Sequence, residues 1–360
     1  MLASLQLAAG IVVVGRLARG RSRRPPLAPP AAAPARAISV VIPARDEAAR
    51  IAPCLAGLAA DPDATEVLVV DDGSSDGTAD MARGLGARVV AAGDPPPGWV
   101  GKPWALQRGL EAATGDVVVS LDADTRPRPG LLRALAAALE DADFVSAGCR
   151  FRCDTRGERW LHPSMLATLV YRYGPVDAPA ASADRLLVNG QCTAVRRAQL
   201  LGAGGYVHAA GHMTDDAAQA RALARAGWRV VVRDGGALVA VDMHDSLAGV
   251  WREWGRSLAL PDVTPPQRQA ADVAVAWLTL ALPPLRAAAR RARGLDLALL
   301  TLRWALVPAL APAYTRRGAP FWLSPLADPA SVVRLTWSAV RPSRVWRGRR
   351  YAAAGRTARR

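Results

Sequence analysis

The chain has 360 residues, is 51% hydrophobic and carries a formal net charge of +15. This length allows one substantial α/β core and leaves about a third of the chain for something else. The arginines cluster beside apolar segments at both ends and not on a helix interleaved with aromatic residues, which favours a membrane surface over nucleic acid as the partner. Cys54, Cys149, Cys153 and Cys192 have neither the density of a disulfide scaffold nor the paired spacing of a zinc site, so we expect reduced, structural cysteines.

Residues 1–20, MLASLQLAAGIVVVGRLARG, have their apolar run before their charges. A secretory signal peptide has the opposite order, so the pattern predicts an N-terminal membrane anchor. The run is short for a full span of about 20 residues, which leaves a tilted or interfacial helix open. The five arginines between residues 16 and 24 predict a cytoplasmic location for the chain downstream. Residues 21–37 are a basic, proline-rich linker.

Residues 38–258 alternate short β-branched runs with alanine-rich helical stretches, which predicts an α/β domain with a mostly parallel sheet and helices on both faces. Ligands of such sheets bind beyond the carboxyl ends of the strands. Two acidic pairs stand at predicted strand ends, Asp71 with Asp72 and Asp122 with Asp124, and turn residues follow each pair.

Asp122 and Asp124 are two residues apart and can face one cation together. Hard oxygen ligands with room for water and phosphate suit Mg²⁺ or Mn²⁺. The alternative is a solvated turn that caps a helix starting near Pro129. An Asp-x-Asp motif alone is common by chance, so the neighbouring motifs decide between these interpretations.

The ordered motifs resemble those of the family 2 glycosyltransferases. They are VVIPARDEAARI (40–51), VLVVDDGSSDGT (67–78), GKPWALQRG (101–109), VVSLDADT (118–125), NGQCTAVRRAQLLGAGGY (189–206) and TDDAAQARALARAGWRV (214–230). The resemblance covers about Ser39 to Arg256, and its most specific parts are DDGSSDGT and the Asp-Ala-Asp segment. It implies a GT-A fold, a nucleotide-sugar donor, a divalent metal and inversion at the anomeric carbon.

This resemblance assigns Glu47, Asp71 and Asp72 to the base and ribose of the donor, where a carboxylate can accept from a base N–H or a sugar hydroxyl. Turn capping is the alternative for the two aspartates. The resemblance also implies that Asp124 binds the metal directly, whereas Asp122 reaches the ribose or a metal-bound water. The metal would neutralise the leaving diphosphate.

Asp215 and Asp216 stand where the family usually shows Glu-Asp, and Asp216 matches the catalytic member of that pair. Both begin a predicted helix, whose positive end is expected to lower the pKa of a carboxylate. An ordinary helix N-terminus with Thr214 as N-cap is the alternative, and His212 is a rival base.

Lys102 is the one lysine among the 46 lysine and arginine residues. It lies in a segment that resembles the family's Gly-Lys element, which borders the nucleotide pocket. An ammonium is compact and enters a narrow space that a planar guanidinium does not. We therefore predict that Lys102 contacts the donor, with a leftover surface lysine as the alternative.

The segment WREWGRSL (251–258) resembles the QxxRW element of processive members but lacks the glutamine and its register, which argues against a polymerase. Arg256 is assigned to the donor diphosphate. Trp251 or Trp254 lines the acceptor site, packs on the sheet or lies at lipid headgroups. His244 is either an additional metal ligand or a structural residue.

Residues 259–340 contain three apolar runs, 273–285, 295–314 and 321–340, of which only the second approaches a membrane span. We predict membrane-associated helices, with a soluble helical domain as the alternative. Arg303 lies inside the second run and needs snorkelling or a partner. Residues 341–360 are predicted to be a basic cytoplasmic tail that suits anionic headgroups.

A narrower resemblance rests on PPPGWVGKPWA and WLSPLADPASVVRLTWSAVRPSRVWRGRRY. Both look like the membrane-associated branch that includes 4,4'-diaponeurosporenoate and hopene-associated glycosyltransferases. This implies an inner-membrane enzyme with a cytoplasmic catalytic domain, a carotenoid, hopanoid or other polyisoprenoid acceptor, and UDP-glucose as the default donor. The alternatives are a polyprenyl-phosphate sugar transferase, which needs no general base, and a catalytically silent nucleotide-sugar-binding membrane scaffold.

Overall fold

The computed structural model describes residues 1–255, 258–342, 345–346 and 349–350. In chain order the strands are β1 (Ile38–Ala44), β2 (Glu66–Asp71), β3 (Arg88–Ala91), β4 (Val117–Leu121), β5 (Thr125–Pro127), β6 (Phe144–Gly148), β7 (Arg150–Arg152), β8 (Cys192–Arg196), β9 (Val230–Asp234), β10 (Val239–Asp242), β11 (Val345–Trp346) and β12 (Arg349–Arg350).

The helices alternate with strands in the first part of the chain and follow one another in the last part. They are α1 (Leu2–Ala18), α2 (Ala52–Ala59), α3 (Thr78–Gly84), α4 (Gly101–Ala112), α5 (Leu131–Ala138), α6 (Arg156–Tyr173), α7 (Arg197–Gly202), α8 (Asp215–Arg225), α9 (Leu247–Gly249), α10 (Pro266–Ala276), α11 (Leu282–Ala288), α12 (Gly294–Leu310), α13 (Ala319–Trp322) and α14 (Asp328–Val340). Two π-helical segments, Val250–Trp254 and Trp277–Ala281, adjoin them.

The chain divides into two compact units. The helical unit combines Met1–Arg23, Phe151–Ala180 and Met243–Ser343, and the sheet unit combines Arg24–Arg150, Ala181–Asp242 and Arg344–Arg360. The predicted boundaries of the membrane and catalytic segments stay predictions. They are 1–20, 21–37, 38–258, 259–340 and 341–360. The division adds that residues 151–180 and 243–258, inside the predicted catalytic domain, belong to the helical unit.

A seven-stranded sheet with the order β3-β2-β1-β4-β8-β6-β9 forms the centre of the sheet unit. Strand β8 runs antiparallel to β4 and β6, and the other neighbouring strands are parallel. Strand β1 pairs in parallel with both β2 and β4. The carboxyl ends of β2 and β4 therefore meet at one edge of the sheet, which is where the predicted acidic pairs lie.

Helix α4 lies close against β1 and β2 because Gly109 has no side chain. A Cβ at Gly109 would lie 2.3 Å from Cγ1 of Val41 and 3.0 Å from Cγ2 of Val70. The apolar face of α4 contributes Ala105, Leu106 and Leu110 to the core of the sheet unit. This close approach also fixes the position of the first turn of α4, which carries Lys102.

The helical unit buries polar side chains among its apolar core and leaves many apolar side chains exposed. Buried polar residues occur on α1, α10, α12 and α14, and include Gln6, Asp272, Asp296, Arg303, Asp328, Ser331 and Ser338. On α14 the opposite face is apolar and open, with Trp337 54% and Val340 73% exposed. A helix in water shows the reverse pattern, so this polarity suits helices whose outer surface meets lipid.

Several of the buried charged side chains of the helical unit are paired. The guanidinium of Arg303 donates to both carboxylate oxygens of Asp328 at 2.7 and 3.0 Å, and the Ser164 hydroxyl donates to the same carboxylate at 2.7 Å. Arg16 pairs with Asp272 at 3.0 Å. Arg303 thus has the partner that its position in an apolar run requires.

Three helices are long and apolar enough to cross a membrane, by length and composition: Leu2–Ser22, Pro266–Ala288 and Gly294–Ala313. The prediction that only the run 295–314 approaches a span was therefore too narrow. Run 273–285 belongs to a continuous 23-residue helix, because the π-helical segment Trp277–Ala281 joins α10 to α11 without a break. Run 321–340 is divided by the short turn Ser324–Ala327 and is not among the candidates found in the described part of the chain.

Replacing Gly109 by alanine should destabilise the sheet unit, because α4 must move away from Val41 to admit the methyl group. Overpacking of this kind costs about 1–3 kcal/mol, measured as a lower midpoint of thermal unfolding. Gly84→Ala on α3 is the control, since a Cβ there meets nothing within 4 Å. Equal midpoints for both variants would contradict the close packing of α4.

Asp328→Asn should destabilise the helical unit, because it leaves the Arg303 guanidinium buried without a countercharge. Breaking a buried ion pair from one side costs about 3–5 kcal/mol. The double variant Arg303→Met with Asp328→Leu should recover most of the stability, measured by thermal unfolding in detergent micelles. A double variant as unstable as Asp328→Asn would show that the two changes act independently.

Candidate functional site

The loops after β1 and β2 are joined by side-chain hydrogen bonds into one platform. Asp46, at φ 51°, accepts from the backbone N–H of Ser75 at 2.8 Å, and its own N–H donates to the Ser74 hydroxyl at 3.0 Å. The N–H of Glu47 donates to the Thr78 hydroxyl at 2.8 Å. The motif DDGSSDGT therefore holds the segment that carries Glu47 in place.

The predicted donor residues of this platform have different surroundings. Asp72 is buried, only 3% exposed, and its carboxylate lies 3.6 Å from the guanidinium of Arg45. The carboxylate of Glu47 lies 3.1 Å from Arg50. Asp71 accepts from the backbone N–H of Ser74 at 3.1 Å, which is the turn-capping role given as its alternative.

Sequence reasoning missed Arg45 and Arg50, although both stand in the motif VVIPARDEAARI beside Glu47. Their pairing with Asp72 and Glu47 shows that this motif supplies cations as well as carboxylates. The arrangement offers hydrogen-bond acceptors for a base or sugar next to cations that tolerate phosphate.

Lys102 lies in the first turn of α4, which begins at Gly101. The helix can start there because Pro103 occupies the first turn, where a backbone N–H has no helical partner to lose. The Lys102 ammonium Nζ contacts Oδ1 of Asp122 at 2.6 Å. Burial alone would lower the pKa of Lys102, but the carboxylates of Asp122, Asp215 and Asp216 raise it above its ordinary value. Lys102 is thus the cation of a carboxylate cluster, with its side chain 20% exposed, and its predicted contact with the donor stays a prediction.

Helix α8 brings Asp215 and Asp216 to this cluster. Gly190 N–H donates to Oδ2 of Asp216 at 3.1 Å, and Ala217 N–H donates to Oδ1 at 2.7 Å. A Cβ at Gly190 would lie 2.6 Å from Cβ of Asp216, so glycine is needed at this approach. Sequence reasoning did not find Gly190, because the contact joins residues 26 apart in the chain.

The pKa of both α8 aspartates is raised, contrary to the expectation from the helix N-terminus. The pKa of Asp215 is raised to about 7; burial is the largest cause, Lys102 opposes it, and Asp216 and Asp122 act in the same direction as burial. Burial also raises the pKa of Asp216, against Lys102 and two backbone N–H groups. Loss of solvation therefore outweighs the helix dipole here. Thr214 precedes the helix without a side-chain capping hydrogen bond, so the N-cap alternative is not supported.

Asp124 carries a buried oxygen, Oδ1, for which no described residue is a hydrogen-bond partner. Burial, as the largest cause, raises the pKa of this carboxyl to about 7 together with the charges of Asp122 and Glu47, against the opposing charges of Arg50 and Lys102. A buried carboxylate oxygen without a partner, next to other carboxylates, fits a divalent cation. The part of the chain that the structure describes contains no preformed group of three or more such ligands, so an ion at this pair would need water or phosphate oxygens as well.

The cysteines and the two candidate histidines have contacts of their own, and Cys54 Sγ lies 3.9 Å from the backbone oxygen of Asp122. All four cysteines are free and buried, as expected, and burial raises the pKa of Cys54 to about 12. His244 belongs to the helical unit, where its backbone N–H donates to Glu158 at 3.1 Å. His212 donates through its backbone N–H to Ala209 at 2.9 Å.

Two tryptophans of the segment 251–258 have different environments. Trp254 stacks on His162 with ring centroids 4.1 Å apart, which is a packing role, and Trp251 contacts Arg334. Arg256, predicted to contact the donor diphosphate, lies outside the described residues.

Carboxylates beyond the carboxyl ends of parallel strands, beside an ammonium, are typical of an α/β protein whose ligand site lies at the edge of its sheet. The family model described as "Glycosyltransferase like family 2" matches residues 34–260, more than half of the chain. The chain belongs to this family.

Relatives match over parts of their length. A 4,4'-diaponeurosporenoate glycosyltransferase of Staphylococcus haemolyticus is 38% identical over 89 residues, 24% of each chain. An N-acetylglucosaminyltransferase of Mesorhizobium japonicum is 33% identical over 142 residues, 37% of this chain and 32% of the relative. The chain thus spans about a quarter to a third of the length of these relatives.

A solved structure covers nearly the whole chain. The mannosyltransferase PcManGT from Pyrobaculum calidifontis, in complex with GDP-Man and Mn²⁺, has a TM-score of 0.55 at 21% identity and covers 95% of this chain and 99% of its own. At this identity the likeness concerns the fold. It confirms the expected GT-A α/β class.

Lys102→Met should destabilise the sheet unit more at pH 8 than at pH 5. The raised pKa of Asp215, about 7, means that this carboxyl is protonated at pH 5 and needs the Lys102 charge only when the pH rises through 7. The difference is read from unfolding midpoints at both pH values in metal-free buffer. Arg108→Met on the same helix removes an exposed ion pair to Glu111 and should have little effect at either pH. A loss for Lys102→Met that does not change with pH would contradict this account.

Proposed function

We propose that the protein transfers one sugar from a nucleotide-sugar donor to a lipid acceptor, with inversion at the anomeric carbon and with a divalent metal. The observation that carries the proposal is the cluster of Lys102, Asp122, Asp215 and Asp216, next to Asp124, at the carboxyl edge of the sheet. Family membership supports the use of a nucleotide-sugar donor. UDP-glucose is the donor that we propose to test first.

The donor nucleotide is assigned to the platform formed by the loops after β1 and β2. Glu47 and Asp72 are buried or nearly so and offer carboxylate oxygens to the base and ribose, and Asp71 shapes the turn beside them. Lys102 and Asp122 lie at the neighbouring strand end. Arg256 remains a proposed contact of the diphosphate, on the strength of its place in the family's motif order.

The metal is assigned to Asp124, with Asp122 as a further ligand or as a contact of a bound water. Mg²⁺ and Mn²⁺ both suit these oxygens, and the ion would neutralise the charge that develops on the leaving diphosphate. The Mn²⁺ in the complex of the Pyrobaculum mannosyltransferase is in accord with this choice. Lys102 holds Asp122 from the other side, so the protein balances part of the negative charge before any ligand binds.

The general base is assigned to Asp216, with Asp215 beside it. Two backbone N–H groups orient the Asp216 carboxylate, and its remaining lone pairs can accept the proton of an acceptor hydroxyl. Burial raises its pKa toward the range in which a base is effective at neutral pH. The acceptor oxygen then attacks the anomeric carbon and the diphosphate leaves, so no covalent enzyme intermediate is needed.

A lipid acceptor at the inner membrane is supported by three observations. Part of the chain matches a 4,4'-diaponeurosporenoate glycosyltransferase. Three helices have the length and composition of membrane spans. The helical unit exposes apolar side chains and pairs several of its charges inside. The arginines that follow α1 favour a cytoplasmic catalytic domain. A carotenoid or another polyisoprenoid is the acceptor class proposed.

Asp124→Asn should abolish transfer and weaken Mn²⁺ binding, because an amide lacks the charge that holds a divalent ion against water. Transfer is measured with labelled nucleotide sugars and membrane lipids, and Mn²⁺ affinity by calorimetry. Asp80→Asn on α3, which removes an exposed pair with Arg83, is the matched control and should change neither quantity. Unaltered Mn²⁺ affinity in Asp124→Asn would remove this residue from the site.

Asp216→Asn should slow transfer to a hydroxyl acceptor by about 10² to 10⁴, the usual scale of general-base catalysis, with donor affinity preserved. The loss should be far smaller for an acceptor that is already ionised, such as a phosphate. Asp215→Asn is the companion variant, and we expect a smaller effect. A larger loss of transfer rate in Asp215→Asn than in Asp216→Asn would show that Asp215 is the general base.

A further inference from the structure

Among the described residues of the helical unit, Arg334 differs from the other buried arginines because no carboxylate pairs with it. It lies on α14 and is 8% exposed. Its Nε donates to the backbone oxygen of Trp251 at 2.8 Å, and its Nη1 is buried without a hydrogen-bond partner. Arg303, by contrast, pairs with Asp328. Among the residues that the structure describes, no acidic group pairs with Arg334.

The surroundings of Arg334 are shaped to hold the guanidinium. Its Cζ lies 5.9 Å from the ring centroid of Trp251. A Cβ at Gly255 would lie 2.4 Å from the Arg334 Nε, so this glycine leaves the space that the guanidinium occupies. Trp251 belongs to the π-helical segment Val250–Trp254, and such segments are frequent at functional sites.

A buried cation without a countercharge is costly to a fold, and the cost is recovered when an anion binds. The exposed residues on the same helix, Val333, Trp337 and Val340, are apolar. An anion that reaches Arg334 beside such a surface is best solvated if it carries its own apolar part. The unpaired cation of Arg334 matches the anionic headgroup of an amphiphile, and the apolar surface of α14 matches its apolar chain.

We propose that Arg334, with the indole of Trp251 beside it, binds the anionic headgroup of a lipid-like amphiphile, either a phosphate or a carboxylate. The planar guanidinium fork matches the oxygens of both groups. The binding site is a property of the helical unit, and it stands independently of the proposed sugar transfer.

The test is calorimetric titration of the full chain in dodecyl maltoside micelles with dodecyl phosphate. Arg334→Gln should weaken binding by about 10-fold or more, the scale of a lost charge-assisted hydrogen bond. Arg341→Gln is the matched control, because Arg341 is exposed at the end of the same helix with its Cζ 4.7 Å from the ring centroid of Trp337. We expect its affinity to stay within about twofold of the wild type, since exposed charges contribute little.

Two other probes separate headgroup from tail. Inorganic phosphate and dodecanol should each bind at least about 10-fold more weakly than dodecyl phosphate, because each offers one of the two recognised parts. If inorganic phosphate binds as tightly as dodecyl phosphate, the site binds free anions and is not specific for a lipid. Equal affinity in Arg334→Gln and wild type, or equal weakening in Arg341→Gln and Arg334→Gln, would overturn the proposal.

Arg334→Lys keeps the positive charge but replaces the planar guanidinium with an ammonium. It is the variant to test if Arg334→Gln does not unfold cooperatively. It should bind dodecyl phosphate more weakly than the wild type, and unchanged binding would overturn the role of the guanidinium. Sugar transfer is assayed on the same preparations. If the wild type binds dodecyl phosphate but does not transfer sugar, this inference stands and the proposed function is wrong. If the wild type transfers sugar but Arg334→Gln binds dodecyl phosphate as tightly as the wild type, the proposed function stands and this inference is wrong.

Discussion

The contact between Lys102 and Asp122 is the constraint on which the sheet unit depends. Carboxylates from β4 and α8 lie within the field of one ammonium, and this charge is their shared compensation. Helix α4 must therefore lie close enough to β1 to bring Lys102 to the end of β4, which Gly109 permits. Helix α8 must approach the segment before β8, which Gly190 permits. Two glycines far apart in the chain thus set the geometry of one cluster.

The helical unit deals with its charges in a different way from the sheet unit. Several of its buried charges pair with one another inside the unit, as Arg303 does with Asp328 and Arg16 with Asp272. Helices that display tryptophan, leucine and valine outward cannot leave an arginine on the same outward face without cost. Internal pairing satisfies the charges, and it also fixes which faces of the helices meet. Arg334 is buried without such a carboxylate partner among the described residues, which distinguishes it from Arg303 and Arg16.

Patterns local in the chain predicted the α/β class, the strand ends and their acidic pairs, because alternation and turn residues depend on near neighbours. Pairings between distant segments were beyond the same reasoning, as for Lys102 with Asp122 and Asp216 with Gly190. The expected lowering of the carboxylate pKa on α8 was wrong, since burial cannot be judged from a helix position alone. The span prediction for 273–285 was too narrow, because a π-helical segment continues the helix. The roles of Glu47, Asp72, Asp124, Asp216 and Arg256 stay predictions.

Lys102 also has a chemical consequence that follows from its rarity. Apart from the α-amino group, the chain has a single primary amine, and it lies in the centre of the cluster. Reductive methylation with isotope-labelled formaldehyde would therefore introduce one pair of methyl groups on one side chain, with the charge retained, although slowly, because the raised pKa of Lys102 keeps its amine protonated. Their resonance would give a magnetic-resonance signal of the cluster that no other lysine obscures.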